Sequence, residues 1–283
     1  MSPCLLSFGH GYSAQALARC LPSNWSVIGT TRSETAQRAD ERTRLVQFPG
    51  DDLTSAIASA THILISAGPT DQGDPVLAHL CDQIAARARD LTWVGYLSTT
   101  GVYGDHQGGW VTEDTPLTPA TARGIARVKA EAEWQSIPDL PLHIFRLAGI
   151  YGPGRGPFAK VRKGTARRII KPGQVFSRIH VDDIAQVLLA SINQPAPGAI
   201  YNLCDDDPAP PQDVIAYAAE LLGLPIPEAV DFETAEMTPM ARSFYAESKR
   251  VSNARIKNDL GVSLKYPGYR SGLQALLGLE DRG

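Results

Sequence analysis

Two glycines ahead of a helical pattern are the first residues here that could do chemistry. Gly9-His10-Gly11-Tyr12-Ser13-Ala14 lies between an apolar run and an amphipathic stretch. In a G-x-G-x-x-A segment the first glycine permits a tight turn and the second lets backbone N–H groups approach a pyrophosphate. A small third residue, here Ala14, lets helix and strand pack closely. The N-terminal N–H groups at Tyr12 and Ser13 would then face the anion. About twenty residues further on, a dinucleotide site of the NAD type carries an acid for the ribose 2′-hydroxyl. This chain has Thr31-Arg32 there. A guanidinium suits a 2′-phosphate, so NADP is expected ahead of NAD. Asp51-Asp52-Leu53 and Ser66-Ala67-Gly68 follow two later apolar runs. Both fall where strands of an open sheet end and ligands bind. Asp52 beside Leu53 could hold an adenine amine, or one of the two acids could simply cap the next helix.

Other clusters narrow the chemistry. Arg155, Lys160, Arg162, Lys163, Arg167, Arg168 and Lys171 form a run without an acid. It could steer a small anionic substrate such as a phosphate or carboxylate, or be a solvated basic face. The run lacks interleaved aromatics and the whole chain carries a net charge of −3, so no nucleic-acid partner is expected. The six histidines are scattered, and the four cysteines (Cys4, Cys20, Cys81, Cys204) contain no C-x-x-C. No protein-held metal is expected, and free thiols suit a reducing cytoplasmic location. No apolar run reaches the length of a membrane helix, and the first eight residues lack a basic segment, so neither membrane nor signal peptide is expected.

The elements that must position these residues follow from periodicity. Pro3–Phe8, Ser26–Thr30, Leu45–Phe48, His62–Ser66, Trp93–Ser98 and Leu142–Leu147 read as strands. Helical patterns cover 12–21, 52–60, 74–91 and 122–135 between them. Strands alternating with helices predict an α/β fold, a doubly wound (Rossmann) parallel sheet covered on both faces. The second half predicts helices over 182–192, 211–222 and 253–260, a late strand at Ala199–Leu203, and a surface connection from Pro225 to Met240. With 283 residues, the expected division is a cofactor domain over 1–150 and a small C-terminal substrate lobe over 151–283 with segments returning to the sheet.

Four segments carry a resemblance. Leu97-Ser98-Thr99-Thr100-Gly101-Val102-Tyr103-Gly104, Arg146-Leu147-Ala148-Gly149-Ile150-Tyr151-Gly152-Pro153-Gly154, Arg178-Ile179-His180-Val181-Asp182-Asp183-Ile184-Ala185, and Ser248-Lys249 with Ala254-Arg255-Ile256-Lys257 occur in this order. Together they resemble the extended short-chain dehydrogenase/reductases, the epimerase/dehydratase branch. The resemblance implies NAD(P) binding, with Ala148 among the cofactor contacts, and a catalytic Ser or Thr at Thr99. It also implies a Tyr-x-x-x-Lys pair, but Arg123 stands at the Tyr position and Arg127 at the Lys position.

Arginine has no acceptor and stays charged near neutrality, so it cannot be a general base. Thr99 and Arg123 could bind the reacting oxygen, and Arg127 could hold the ribose as the family lysine does. Tyr103 is then a candidate proton carrier, against a plain packing role. Lys129 lies two residues, about 200°, from the Lys position and should not substitute. Gly149 stands where sugar-nucleotide enzymes of the family often have Asn, which disfavours a sugar nucleotide. Two functions remain: an NADP-dependent oxidoreductase or epimerase acting on a small anionic substrate, or a catalytically impaired dinucleotide-binding sensor or scaffold. Family dimers pair the helices corresponding to 74–91 and 122–135, so a homodimer is expected.

Overall fold

The computed structural model of the chain describes residues 2–33 and 41–280. At its centre are Cys4–Phe8 (β1), Ser26–Thr31 (β2), Thr43–Gln47 (β3), His62–Ile65 (β4), Trp93–Thr99 (β5), Leu142–Leu147 (β6) and Ile200–Leu203 (β7). They form one sheet in the order β7-β6-β5-β4-β1-β2-β3, with every pair parallel. β1 and β4 are buried along their whole length because both faces of the sheet are covered, and this is why they read as near-continuous apolar runs. The strand order reverses between β1 and β4. The crevice beyond their carboxyl ends is therefore where a sheet of this kind takes its ligand.

Four helices do most of the covering. Tyr12–Cys20 (α1) lays Ala14, Leu17 and Ala18 on one face of the sheet, together with Ile184, Val187 and Leu188 of Val181–Asn193 (α4). On the other face, Val76, Leu80 and Ile84 of Pro75–Ala85 (α2) meet Ala130 and Trp134 of Ala122–Gln135 (α3). Asp74 caps α2 by accepting from the N–H groups of Val76 and Leu77, and its other oxygen accepts from the Trp134 indole at 3.2 Å. A separate apolar cluster joins Tyr151 and Phe158 to Tyr269, Leu273 and Leu276 of a last helix, Tyr269–Glu280 (α5).

Several boundaries differ from the periodic pattern. The helix expected to run to Leu91 stops at Ala85, and a 3-10 turn occupies Ala88–Asp90. Arg87 accounts for the break: its guanidinium donates to the carbonyls of Ile57 and Ala58 and to Asp90, tying the chain to a neighbouring turn. The connection over 225–240 contains a short strand, Ala229–Asp231, paired with Arg168–Ile170, and leads into a helix at Pro239–Phe244. α5 had no sequence expectation at all. Gly272 sits inside it because a Cβ there would lie 2.2 Å from the Tyr151 hydroxyl.

A buried charge network locks α3 to the sheet. Arg146 of β6 bonds Glu131 of α3 through Nε and Nη2, the closest contact being 2.8 Å, with the two side chains only 4% and 3% exposed. Ser98 of β5 donates to the same carboxylate at 2.5 Å. Burial works against the Arg146 charge, but the hydrogen bonds and charge of Glu131 outweigh it and push the guanidinium pKa up. Removing one partner of such a pair leaves an uncompensated buried charge, so Glu131→Leu should cost about 3–5 kcal/mol. Glu131→Leu combined with Arg146→Met should recover more than half of that in urea unfolding. A single variant as stable as the wild type would refute the assignment.

Candidate active site

The loop after β1 is built to receive an anion. Gly9 has φ +77°, and a Cβ there would come within 2.9 Å of the Ala67 backbone nitrogen at the end of β4. Its N–H donates to Thr30 Oγ1 at 2.8 Å, and the N–H of His10 donates to the Thr30 carbonyl at 2.9 Å, so β2 holds the turn. Gly11 caps α1 with no side-chain hydrogen bond, and no acid stands in the first turn. The N–H groups of Tyr12, Ser13 and Ala14 thus lack an anionic partner within the helix, at its positive end. Ala14 is completely buried, which is the close helix–strand packing its small size allows. These donors fit a pyrophosphate.

At the end of β2, Thr31 is half-buried and accepts from the N–H of Ser33, while Arg32 is exposed. Beyond β3, Asp51 accepts from the backbone of Gln47. Asp52 takes both the hydroxyl and the backbone N–H of Thr54 on Oδ1, and these bonds hold its carboxyl below the usual range. Asp52 thus stabilises the turn into the next helix, with Leu53 buried beside it.

Ser13, Ser66, Thr99, Arg123, Arg127 and Ala148 all line one cleft of about 630 Å³ over the carboxyl ends of β1, β4, β5 and β6. Thr99 ends β5 and accepts from the N–H of Gly101 at 3.2 Å. Arg127 donates from Nη1 to the Leu97 carbonyl at 2.6 Å and to the Tyr96 hydroxyl at 3.1 Å. Its Nη2 is 2.9 Å from where a Cβ on Gly68 would stand, so the guanidinium bridges the ends of β4 and β5. Arg123, one turn earlier on α3, is exposed, with its guanidinium carbon 4.9 Å from the centre of the Phe244 ring. Lys129 pairs with Glu133 on the outer surface, as its phase on the helix requires.

Tyr103 does not reach the cleft, which corrects its expected role as proton carrier. Its side chain is completely buried. The hydroxyl donates to Asn202 Oδ1 at 2.7 Å and accepts from Arg146 at 3.0 Å, inside the Glu131 network. Burial raises its pKa, with Arg146 opposing. Only spatial neighbours on β6 and β7 impose this, and they are 43 and 99 residues away in sequence.

The cleft also contains residues that the sequence did not single out. Of the basic run over 155–171, Arg155 lines it, whereas Arg168 and Lys171 bond the carbonyls of Pro227 and Tyr245. Further cations come from Arg178 and Lys249. Glu247 is the one carboxylate among the described residues that line the cleft. Its Oε2 lies 2.6 Å from Lys249 Nζ, which also donates to the Gly104 carbonyl. Its Oε1 is buried without a hydrogen-bond partner. The segment is held by Asp105, which accepts from the N–H of Ser248, and by Gln174, which donates to the Glu247 carbonyl. Ser248-Lys249 was visible as a family segment, but nothing local to it signals a place in the site.

Because the Tyr103 hydroxyl serves the buried network, Tyr103→Phe should cost about 1–3 kcal/mol of stability by unsatisfying Asn202 and Arg146. Dinucleotide affinity, read by fluorescence titration, should stay within twofold of the wild type. A stable variant with lost function would restore Tyr103 to the site.

No family model matches the chain. Among solved structures, a conserved protein of unknown function from Silicibacter pomeroyi is 62% identical and superposes with a TM-score of 0.92, covering 98% of each chain. A protein from Methylobacillus flagellatus assigned to the NAD-dependent epimerases/dehydratases is 26% identical with a TM-score of 0.72, covering 99% of each chain. Protein YeeZ from Escherichia coli K12 is 28% identical over 276 residues, 92% of this chain and 94% of that protein. With its sheet order, its glycine loop and its four signature segments, the chain has the fold of the NAD-dependent epimerases/dehydratases and is similar to them along its whole length, with Arg123 and Arg127 where their Tyr-x-x-x-Lys pair stands.

Proposed function

We propose that the chain binds NADP(H) and acts as an oxidoreductase or epimerase on a small anionic carbonyl or hydroxyl compound. The observation that carries this is the shared cleft: the free helix end of α1, Thr99, two arginines of α3 and a lone carboxylate all open into it. A bound nicotinamide would supply hydride chemistry, and the side chains supply the rest. Arg127 holds the cofactor ribose from its anchored place between β4 and β5. Thr99 and Arg123 hold the reacting oxygen, and the Arg123 guanidinium stabilises negative charge there. Glu247 moves the proton, because the arginines cannot and the Tyr103 hydroxyl is buried elsewhere. Lys249 orients Glu247 through its Oε2. Arg32 selects the 2′-phosphate. The four free cysteines suit a reducing compartment, the cytoplasm. Among the described residues no helix is long and apolar enough to cross a membrane.

A second reading, a dinucleotide-binding sensor without turnover, is favoured by the missing Tyr-x-x-x-Lys pair alone. Titration with NADPH and NADH, followed by NADPH oxidation against a panel of keto acids and phosphorylated carbonyl compounds, separates the two. The expected results are tighter binding of NADPH than of NADH, reversed in Arg32→Glu, and turnover of at least one panel compound. Glu247→Gln should lower that turnover about 10²–10⁴-fold without changing NADPH affinity. Tight binding with no turnover across the panel would favour the sensor, and failure to bind either dinucleotide would overturn both readings.

A further inference from the structure

We infer that Arg155 is a cofactor clamp, laid across the phosphate loop by the carboxy-terminal half of the chain to hold the dinucleotide's pyrophosphate. The inference rests on the dinucleotide-binding reading above and deepens it.

Arg155 ends a tight turn. Gly152 and Arg155 exchange backbone hydrogen bonds of 3.0 and 2.9 Å, and Pro153-Gly154 form its corner, with Gly154 at φ +70°. A proline followed by a glycine at positive φ pre-sets such a corner. The turn is fastened to the phosphate loop. The hydroxyl of Tyr12, the first residue of α1, donates to the Pro153 carbonyl at 2.9 Å. The Arg155 guanidinium carbon lies 5.8 Å from the centre of the same Tyr12 ring. Gly152 must be glycine for this approach, since a Cβ would fall 2.4 Å from the Tyr12 hydroxyl.

The guanidinium therefore stands beside the positive end of α1, in the cleft that Ser13 also lines. Among the described residues it has no hydrogen-bond or ion-pair partner beyond the Tyr12 ring. Asp182, the acid whose charge also reaches Tyr12, is paired with Lys265 at 3.3 Å. Two positive features set side by side on a rigid turn repel each other unless an anion sits between them. A pyrophosphate would take N–H bonds from α1 on one side and a charge-assisted bond from Arg155 on the other. Because the pyrophosphate is common to NAD and NADP, Arg155 would strengthen both equally, whereas Arg32 would separate them.

The test is isothermal titration of the full chain with NADP⁺, NAD⁺ and ADP-ribose. Arg155→Gln should weaken all three by about tenfold or more and reduce the dependence of affinity on ionic strength, with an unchanged melting temperature. Arg155→Lys should keep more of the affinity than Arg155→Gln. Equal affinities in wild type and Arg155→Gln would overturn the clamp while leaving dinucleotide binding intact. A weakening confined to NADP⁺ would also overturn it, by moving Arg155 to the 2′-phosphate. A wild type that binds none of the three would overturn the dinucleotide reading and the clamp together.

Discussion

The Glu131–Arg146 pair is the constraint on which the cleft depends. It joins α3 to β5 and β6 through Ser98 and Arg146, and reaches β7 by way of Tyr103 and Asn202. Charges removed from water this completely are tolerated only when nearly every lone pair and proton has a partner. Position and rotation of α3 are therefore not free. Arg123, Arg127 and Glu131 stand four residues apart, one stripe down the helix. Once Glu131 is fixed in the interior, Arg127 must meet the end of β5, and Arg123 must emerge over the cleft. The stripe runs from buried acid, through half-buried cation, to exposed cation.

That geometry gives a physical meaning to the two arginines that replace the family pair. Arg127 has become part of the scaffold at the strand ends and remains within the cleft. Among the described residues, Arg123 is held by the Phe244 ring alone. A permanently charged, acceptor-free side chain stands at each place, so this wall of the cleft is positively charged. Glu247 and Lys249, from a later segment, line the same cleft. The cations of α3 and the carboxylate of Glu247 that line the cleft thus come from the two halves of the chain.

The two halves are also tied together where the cofactor loop begins. Tyr12 at the start of α1 bonds the turn at Pro153, and α1 packs directly against α4. The sheet itself needs the later half, since β7 adds to β6 at its edge. The glycine loop thus rests on residues 141 and more positions away.

The fold was legible in the sequence because parallel strands buried on both faces must be apolar, and the helices between them must show one apolar side. The glycine loop was legible for a similar reason, as its chemistry is backbone chemistry carried by consecutive residues. Local pattern failed where a long-range bond decided the outcome. Arg87 ended a helix that periodicity would have continued, and the strand at Ala229–Asp231 needed Arg168–Ile170 as its partner. Tyr103 lay four residues past Thr99 in sequence, yet Arg146 and Asn202 drew it inside. Glu247 and Lys249 gave no local sign, because the loops that seat them come from near residues 105 and 174. Residue types and spacing determined the sheet and the glycine loop, and the resemblance implied the missing tyrosine. Which charged side chains share the cleft was decided only by tertiary structure, since a charge's role depends on the partners and burial that folding provides.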